Sequence, residues 1–179
     1  MTYANLITIF RIIAIPFMVV IFFYDIENSR YYVILIFSVA AITDYLDGLV
    51  ARKMDQVTAL GRFLDPVADK LLVISSLLLI LIENNNLIIF LPICIIILRE
   101  VIISALREWA AKEKSEKNLE VNSFGKVKTF FQMLSIVFLL FNGTIFTINT
   151  YEIGLYGIYI AAFLSLFSMI IYLGKVIRS

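Results

Sequence analysis

The chain has no histidine and a single cysteine among its 179 residues. The first absence removes imidazole both as a proton carrier and as a metal ligand. The second excludes an intramolecular disulfide, and Cys94, set in an apolar run, is expected to serve packing or to face lipid. Any metal site must therefore be built from oxygen, which favours Mg²⁺ or Mn²⁺ over zinc. Charge is scarce as well, at 16% of residues against 61% hydrophobic, with a mean hydropathy of +0.96. So much apolar surface cannot be hidden inside one soluble domain of this length, so an all-α integral membrane protein is expected. The net charge of +1 is uninformative as a total, and no nucleic-acid partner is expected. The N-terminus lacks a basic leader with a small-residue cleavage site, so its first apolar segment is expected to be retained. No tandem repeat or linker divides the chain, and a single membrane domain over 1–179 is expected.

At about 20 residues per crossing, hydropathy predicts six transmembrane helices, over 6–24, 31–52, 65–82, 87–107, 126–148 and 153–175. The first, third and fifth connections hold Asp25, Glu27, Glu83 and Glu152 but only Arg30 as a base. The remaining basic residues fall on the other side: Arg11, Arg52, Lys53, Arg62 and Lys70, the group from Arg99 to Lys128, and Lys175 with Arg178. By the positive-inside rule both termini are cytoplasmic. Charges also cut into the first four spans, at Arg11, at Asp44 and Asp47, at Asp65, Asp69 and Lys70, and at Arg99 and Glu100. Every interruption falls at a cytoplasmic end. Ionisable groups at membrane depth face protein or water, so a polar cavity open to the cytoplasmic leaflet is expected among these helices.

The densest chemistry runs from Asp44 to Asp69. Asp44 and Asp47 are i, i+3 neighbours on one helix, and Asp65 and Asp69 are i, i+4 neighbours on the next, so each pair makes an acidic face. Four converging carboxylates repel one another unless divalent cations are shared among them. Gly48 and Ala51, one turn apart, allow a backbone or ligand to approach closely, and Gly61 suits a tight connection. Pro66 fits the first turns of a helix starting near Asp65 or one turn earlier.

The residues Asp44-x2-Asp47-Gly48-x2-Ala51-Arg52-x8-Gly61-x3-Asp65-x3-Asp69 match without departure the signature of the CDP-alcohol phosphatidyltransferase family. Asn5, Thr8 and Arg11 resemble that family's entry to its first helix. The stretches from Arg99 to Trp109 and from Gly125 to Met133 are similar to its bacterial phosphatidylglycerophosphate synthase branch. The resemblance implies a six-helix bundle, usually a homodimer, in a bacterial inner (cytoplasmic) membrane. It also implies CDP-diacylglycerol and glycerol 3-phosphate as substrates, with phosphatidylglycerophosphate and CMP as products. By motif position it assigns Asp44, Asp47 and Asp65 to divalent metal on the pyrophosphate and Asp69, also close to metal, to the general base. Gly48, Ala51, Arg52 and Gly61 are implied on the nucleotide side.

An acceptor that carries its own phosphate needs cations besides the metal. Arg99 and Arg107, two turns apart and about 80° around a helix, can border one cavity, and arginine suits bidentate contact with phosphate. Lys126 and Lys128 are expected to assist, although two residues apart they point to opposite sides of a regular helix. Positive-inside anchoring is the structural alternative for all four. Competing functions are a transferase of the same family with phosphatidylglycerol, serine or an inositol phosphate as acceptor, and a divalent-cation transporter. Transport calls for a polar path to both faces, and the outer halves of the spans carry no charge.

Overall fold

Runs of Leu, Ile and Phe, broken by few glycines and prolines, form helices almost throughout. The computed structural model describes residues 3–24, 28–54, 59–112 and 123–177, with side chains described for 7–24, 28–43, 61, 63–109 and 127–174. Six helices follow in order: α1 (Tyr3–Phe23), α2 (Ser29–Met54), α3 (Ala59–Glu83), α4 (Leu87–Lys112), α5 (Ser123–Phe141) and α6 (Thr150–Ile177). Between the last two, β1 (Thr144–Ile145) and β2 (Ile148–Asn149) form a minimal antiparallel pair with Thr144 opposite Asn149. The chain divides into two compact units, Met1–Glu83 and Asn84–Ser179.

In the first unit α1 packs against both α2 and α3. Its inward stripe is Thr8, Arg11, Ile15 and Met18, at helical spacing. Across from it, α3 buries Ala68, Leu72, Ser76 and Ile80, and α2 buries Val33, Phe37 and Ala40. The Ser76 hydroxyl bonds to the Leu72 carbonyl at 2.8 Å, so a polar group enters this core without being left unsatisfied.

In the second unit α6 is the shared partner of α4 and α5. Its buried stripe runs Thr150, Gly154, Ile158, Ala161 and Ser165. Small residues there let α5 come close: a Cβ on Gly154 would lie 2.7 Å from Leu139 Cγ and 3.1 Å from the Leu139 backbone nitrogen. Asparagines cap α4 and α6. Asn86 Oδ1 accepts from the Ile88 N–H and Asn149 Oδ1 from the Tyr151 N–H, each at 3.0 Å.

Two expected boundaries are corrected. The fifth helix was expected to reach residue 148, yet α5 ends at Phe141. Asn142 adopts a left-handed φ of 40° and the chain turns through the hairpin, tied where Thr150 Oγ1 donates to the Gly143 carbonyl at 2.8 Å and accepts from the Gly143 N–H at 3.0 Å. The uncharged run through residues 129–151 is therefore a helix, a turn and the start of another helix. The third helix starts at Ala59, earlier than expected, which puts Pro66 well inside α3 and Gly61 within the helix, buried. Gly61 thus lies inside a helix and not in a tight connection. Pro66 is accommodated at the loss of one hydrogen bond to the carbonyl a turn earlier.

Large apolar side chains are exposed on every helix, Phe17, Leu35, Phe63, Leu98, Phe130 and Phe163 among them. Two helices, over Leu87–Trp109 and Thr150–Gly174, are long and apolar enough to cross a membrane, and Ile7–Phe23, Ser29–Thr43 and Val127–Phe141 are shorter apolar helices. An outer surface of this kind belongs in lipid.

The close approach of α5 and α6 yields a stability test. Gly154→Ala is expected to lower stability by about 1–3 kcal/mol through overpacking. Gly174→Ala, whose Cβ would meet nothing within 4 Å, is expected to be neutral. Thermal unfolding of the detergent-purified variants reads both.

Candidate active site

The signature divides between two helices of the first unit. Asp44, Asp47, Gly48, Ala51 and Arg52 lie on the C-terminal part of α2, and their side chains fall outside the described residues. Gly61, Asp65 and Asp69 lie on α3 one turn apart. Asp65 and Asp69 are half-exposed, with side-chain exposures of 46% and 41%.

Both α3 carboxylates are met from α1. Arg11 Nη1 donates to Asp69 Oδ1 at 2.5 Å, and its Nη2 lies 4.0 Å from Asp65 Oδ1. One turn earlier, the Thr8 hydroxyl donates to Asp65 Oδ1. The pattern follows from two helical periods in register, since Thr8 and Arg11 are i, i+3 and Asp65 and Asp69 are i, i+4. Arg11 is almost wholly buried, at 1% exposure, so its charge depends on these carboxylates. Asp65 and Asp69 nonetheless keep a solvent-facing side. That suits a divalent ion of the oxygen-seeking kind, for which half-exposed carboxylates on successive turns are the appropriate donors. Among the described residues no three potential ligands cluster, and Asp44 and Asp47 lie outside that set.

The second unit assembles a cationic group. On α4, Arg99 Nη1 donates to Glu100 Oε1 at 3.3 Å, and the Lys128 ammonium of α5 bonds to the same oxygen. Arg99 Nη2 donates to Ser168 Oγ on α6 at 2.9 Å. Two turns along α4, the Arg107 guanidinium lies over the Tyr172 ring at 6.0 Å, the outer limit of a cation–π contact. Its charge acts on both Arg99 and Lys128. Lys128 is buried, with 4% of its side chain exposed, and Arg99 nearly so at 11%. Arg99 and Lys128 thus share one carboxylate. That surplus is suited to an anion.

The family profile for CDP-alcohol phosphatidyltransferases matches residues 1–173, nearly the whole chain. The chain belongs to the CDP-alcohol phosphatidyltransferase family. Three similar proteins carry the name CDP-diacylglycerol--glycerol-3-phosphate 3-phosphatidyltransferase. The protein from Haemophilus influenzae is 46% identical over 93% of this chain and 88% of its own length. Its counterpart in Escherichia coli K12 is 43% identical over 94% and 91%, and that of Wigglesworthia glossinidia brevipalpis 42% over 92% and 89%. Phosphatidyltransferases of this family generally depend on a divalent metal, which agrees with the oxygen-only donor set.

Of the expected acceptor-side residues, Arg99, Arg107 and Lys128 come together. Lys126, on α5, has its side chain outside the described residues. Glu100, the carboxylate joining Arg99 to Lys128, was not among the expected site residues, nor were Ser168 and Tyr172. Ser165, Ser168 and Tyr172 sit at i, i+3 and i+7, a polar stripe legible in an otherwise apolar helix.

The shared carboxylate makes a measurable claim. Glu100→Gln leaves Lys128 and Arg99 buried without their counter-charge and is expected to cost about 3 kcal/mol in stability. Adding Lys128→Met is expected to recover part of that loss. Thermal unfolding of single and double variants provides the cycle.

Proposed function

We propose that this protein transfers the phosphatidyl group of CDP-diacylglycerol to glycerol 3-phosphate, forming phosphatidylglycerophosphate and releasing CMP. The observation that carries the reading is similarity over more than nine-tenths of the chain to relatives named for that reaction. The intact signature on α2 and α3 supports it. In this reading the chain makes six crossings of a bacterial inner membrane, with both termini and a polar cavity on the cytoplasmic side.

Asp44, Asp47, Asp65 and Asp69 hold divalent metal, Mg²⁺ or Mn²⁺. When bound, the ion neutralises the pyrophosphate and stabilises the charge that builds up on the departing CMP. The chain's own groups do the rest. Asp69 takes the proton from the attacking hydroxyl of glycerol 3-phosphate, the only type of base on offer where histidine is absent. The freed oxygen attacks the phosphatidyl phosphorus, the P–O bond to CMP breaks, and CMP leaves with the electron pair. Thr8 and Arg11 hold Asp65 and Asp69 in one orientation, so that the reacting oxygens are not free to turn. Gly48, Ala51 and Gly61 present little bulk, so the nucleotide can approach the backbone, and Arg52 adds charge there. Arg99, Arg107 and Lys128, with Lys126, receive the phosphate of the acceptor.

Purified protein given CDP-diacylglycerol and Mg²⁺ or Mn²⁺ is expected to release CMP only when glycerol 3-phosphate is added, and chelation of the metal is expected to stop it. Asp69→Asn is expected to lower the rate by about 10²–10⁴ while the protein stays folded. Serine incorporation in place of glycerol 3-phosphate would overturn the acceptor, and undiminished synthesis by Asp69→Asn would overturn the base.

A further inference from the structure

Three buried polar atoms in the second unit have no hydrogen-bond partner among the described residues: Arg99 Nε, Ser165 Oγ and Tyr172 Oη. Arg99 lies on α4 and the other two on α6, which packs against it. Buried donors are almost always satisfied, so orphans at a cationic cluster point to an occupant that accepts hydrogen bonds. Their setting is specific. Ser168, between Ser165 and Tyr172 on the same stripe, accepts from Arg99 Nη2 and donates to the Ser165 carbonyl at 2.9 Å. It fixes one edge of the guanidinium while Glu100 holds Nη1. Nε is left as the donor still to be used. At Tyr172 the ring lies beneath Arg107, so the cation is held by the ring face and the hydroxyl is not engaged in that contact.

We propose that α6 forms part of the acceptor phosphate site. Tyr172 Oη and Arg99 Nε donate to phosphate oxygens of glycerol 3-phosphate, and Ser168 is the positioning residue that sets Arg99. The inference rests on the transfer reaction proposed above and extends it to a helix that the family signature leaves without a role. A tetrahedral oxyanion suits the groups: guanidinium and phenol are both donors, and Arg99 and Lys128, two cations sharing the one carboxylate of Glu100, help to offset its charge.

The test uses the full chain in detergent with CDP-diacylglycerol and Mg²⁺. Tyr172→Phe removes the hydroxyl and keeps the ring beneath Arg107. It is expected to raise the KM for glycerol 3-phosphate about tenfold, with kcat within about twofold and the KM for CDP-diacylglycerol unchanged. Ser168→Ala is expected to shift the same KM in the same direction, and Ser168→Thr to restore it. Glycerol 3-phosphate alone should raise the unfolding temperature of the wild type more than that of Tyr172→Phe. An unchanged KM for glycerol 3-phosphate in both variants overturns the inference, and so does an equal rise in both KM values, which is the mark of a merely structural role. If wild-type CMP release does not need glycerol 3-phosphate, it is the proposed reaction that falls. If the wild type needs it and the variants behave as wild type, only the role of α6 falls.

Discussion

A charge carried into an apolar slab has to be met there, because water is not at hand to solvate it. Arg11 and Lys128 are the two described cations most deeply placed, and each is met by carboxylate from a different helix. Arg11 couples α1 to α3 at the height of Asp65 and Asp69. Lys128 couples α5 to α4 through Glu100, and Arg99 extends that link to α6 through Ser168. Packing between largely uniform apolar surfaces has little to set the register of one helix along another. These polar contacts are directional and supply that register.

The two units carry opposite surpluses. In the first, the half-exposed carboxylates of Asp65 and Asp69 share the one guanidinium that α1 brings to α3, an arrangement suited to metal. In the second, Arg99 and Lys128 share the single carboxylate of Glu100, an arrangement suited to an anion. The proposed substrates make the same two demands, since a pyrophosphate that must lose CMP calls for a divalent ion and an acceptor phosphate that takes no part in bond breaking calls only for a fixed receptor.

Much of this was legible beforehand. Hydropathy located the helices, because a run of apolar residues about 20 long has few other outcomes. It failed at the ends. The run through residues 129–151 is uncharged throughout, and what ends α5 is the left-handed Asn142 and the mutual bonds of Gly143 and Thr150, details to which a count of charges is blind. Pro66 was read as a helix start, but a proline costs only one internal bond when the rest of the helix packs well. The signature, by contrast, could be read outright: eight residues at set spacings fall on two successive helices, α2 and α3.

The sequence by itself determined the class of the protein, its family, and the positions of the carboxylates and cations along the chain, since each follows from residue type and helical period. Tertiary structure decided their partners. It gave Asp65 and Asp69 to Arg11 and Thr8, turned Lys128 inward to Glu100, and brought Ser168 and Tyr172 to Arg99 and Arg107 from a helix distant in sequence. Period fixes which face a residue shares with its own helix. Which helix that face meets, and at what height, depends on the summed packing of the whole unit, and no local pattern encodes that sum.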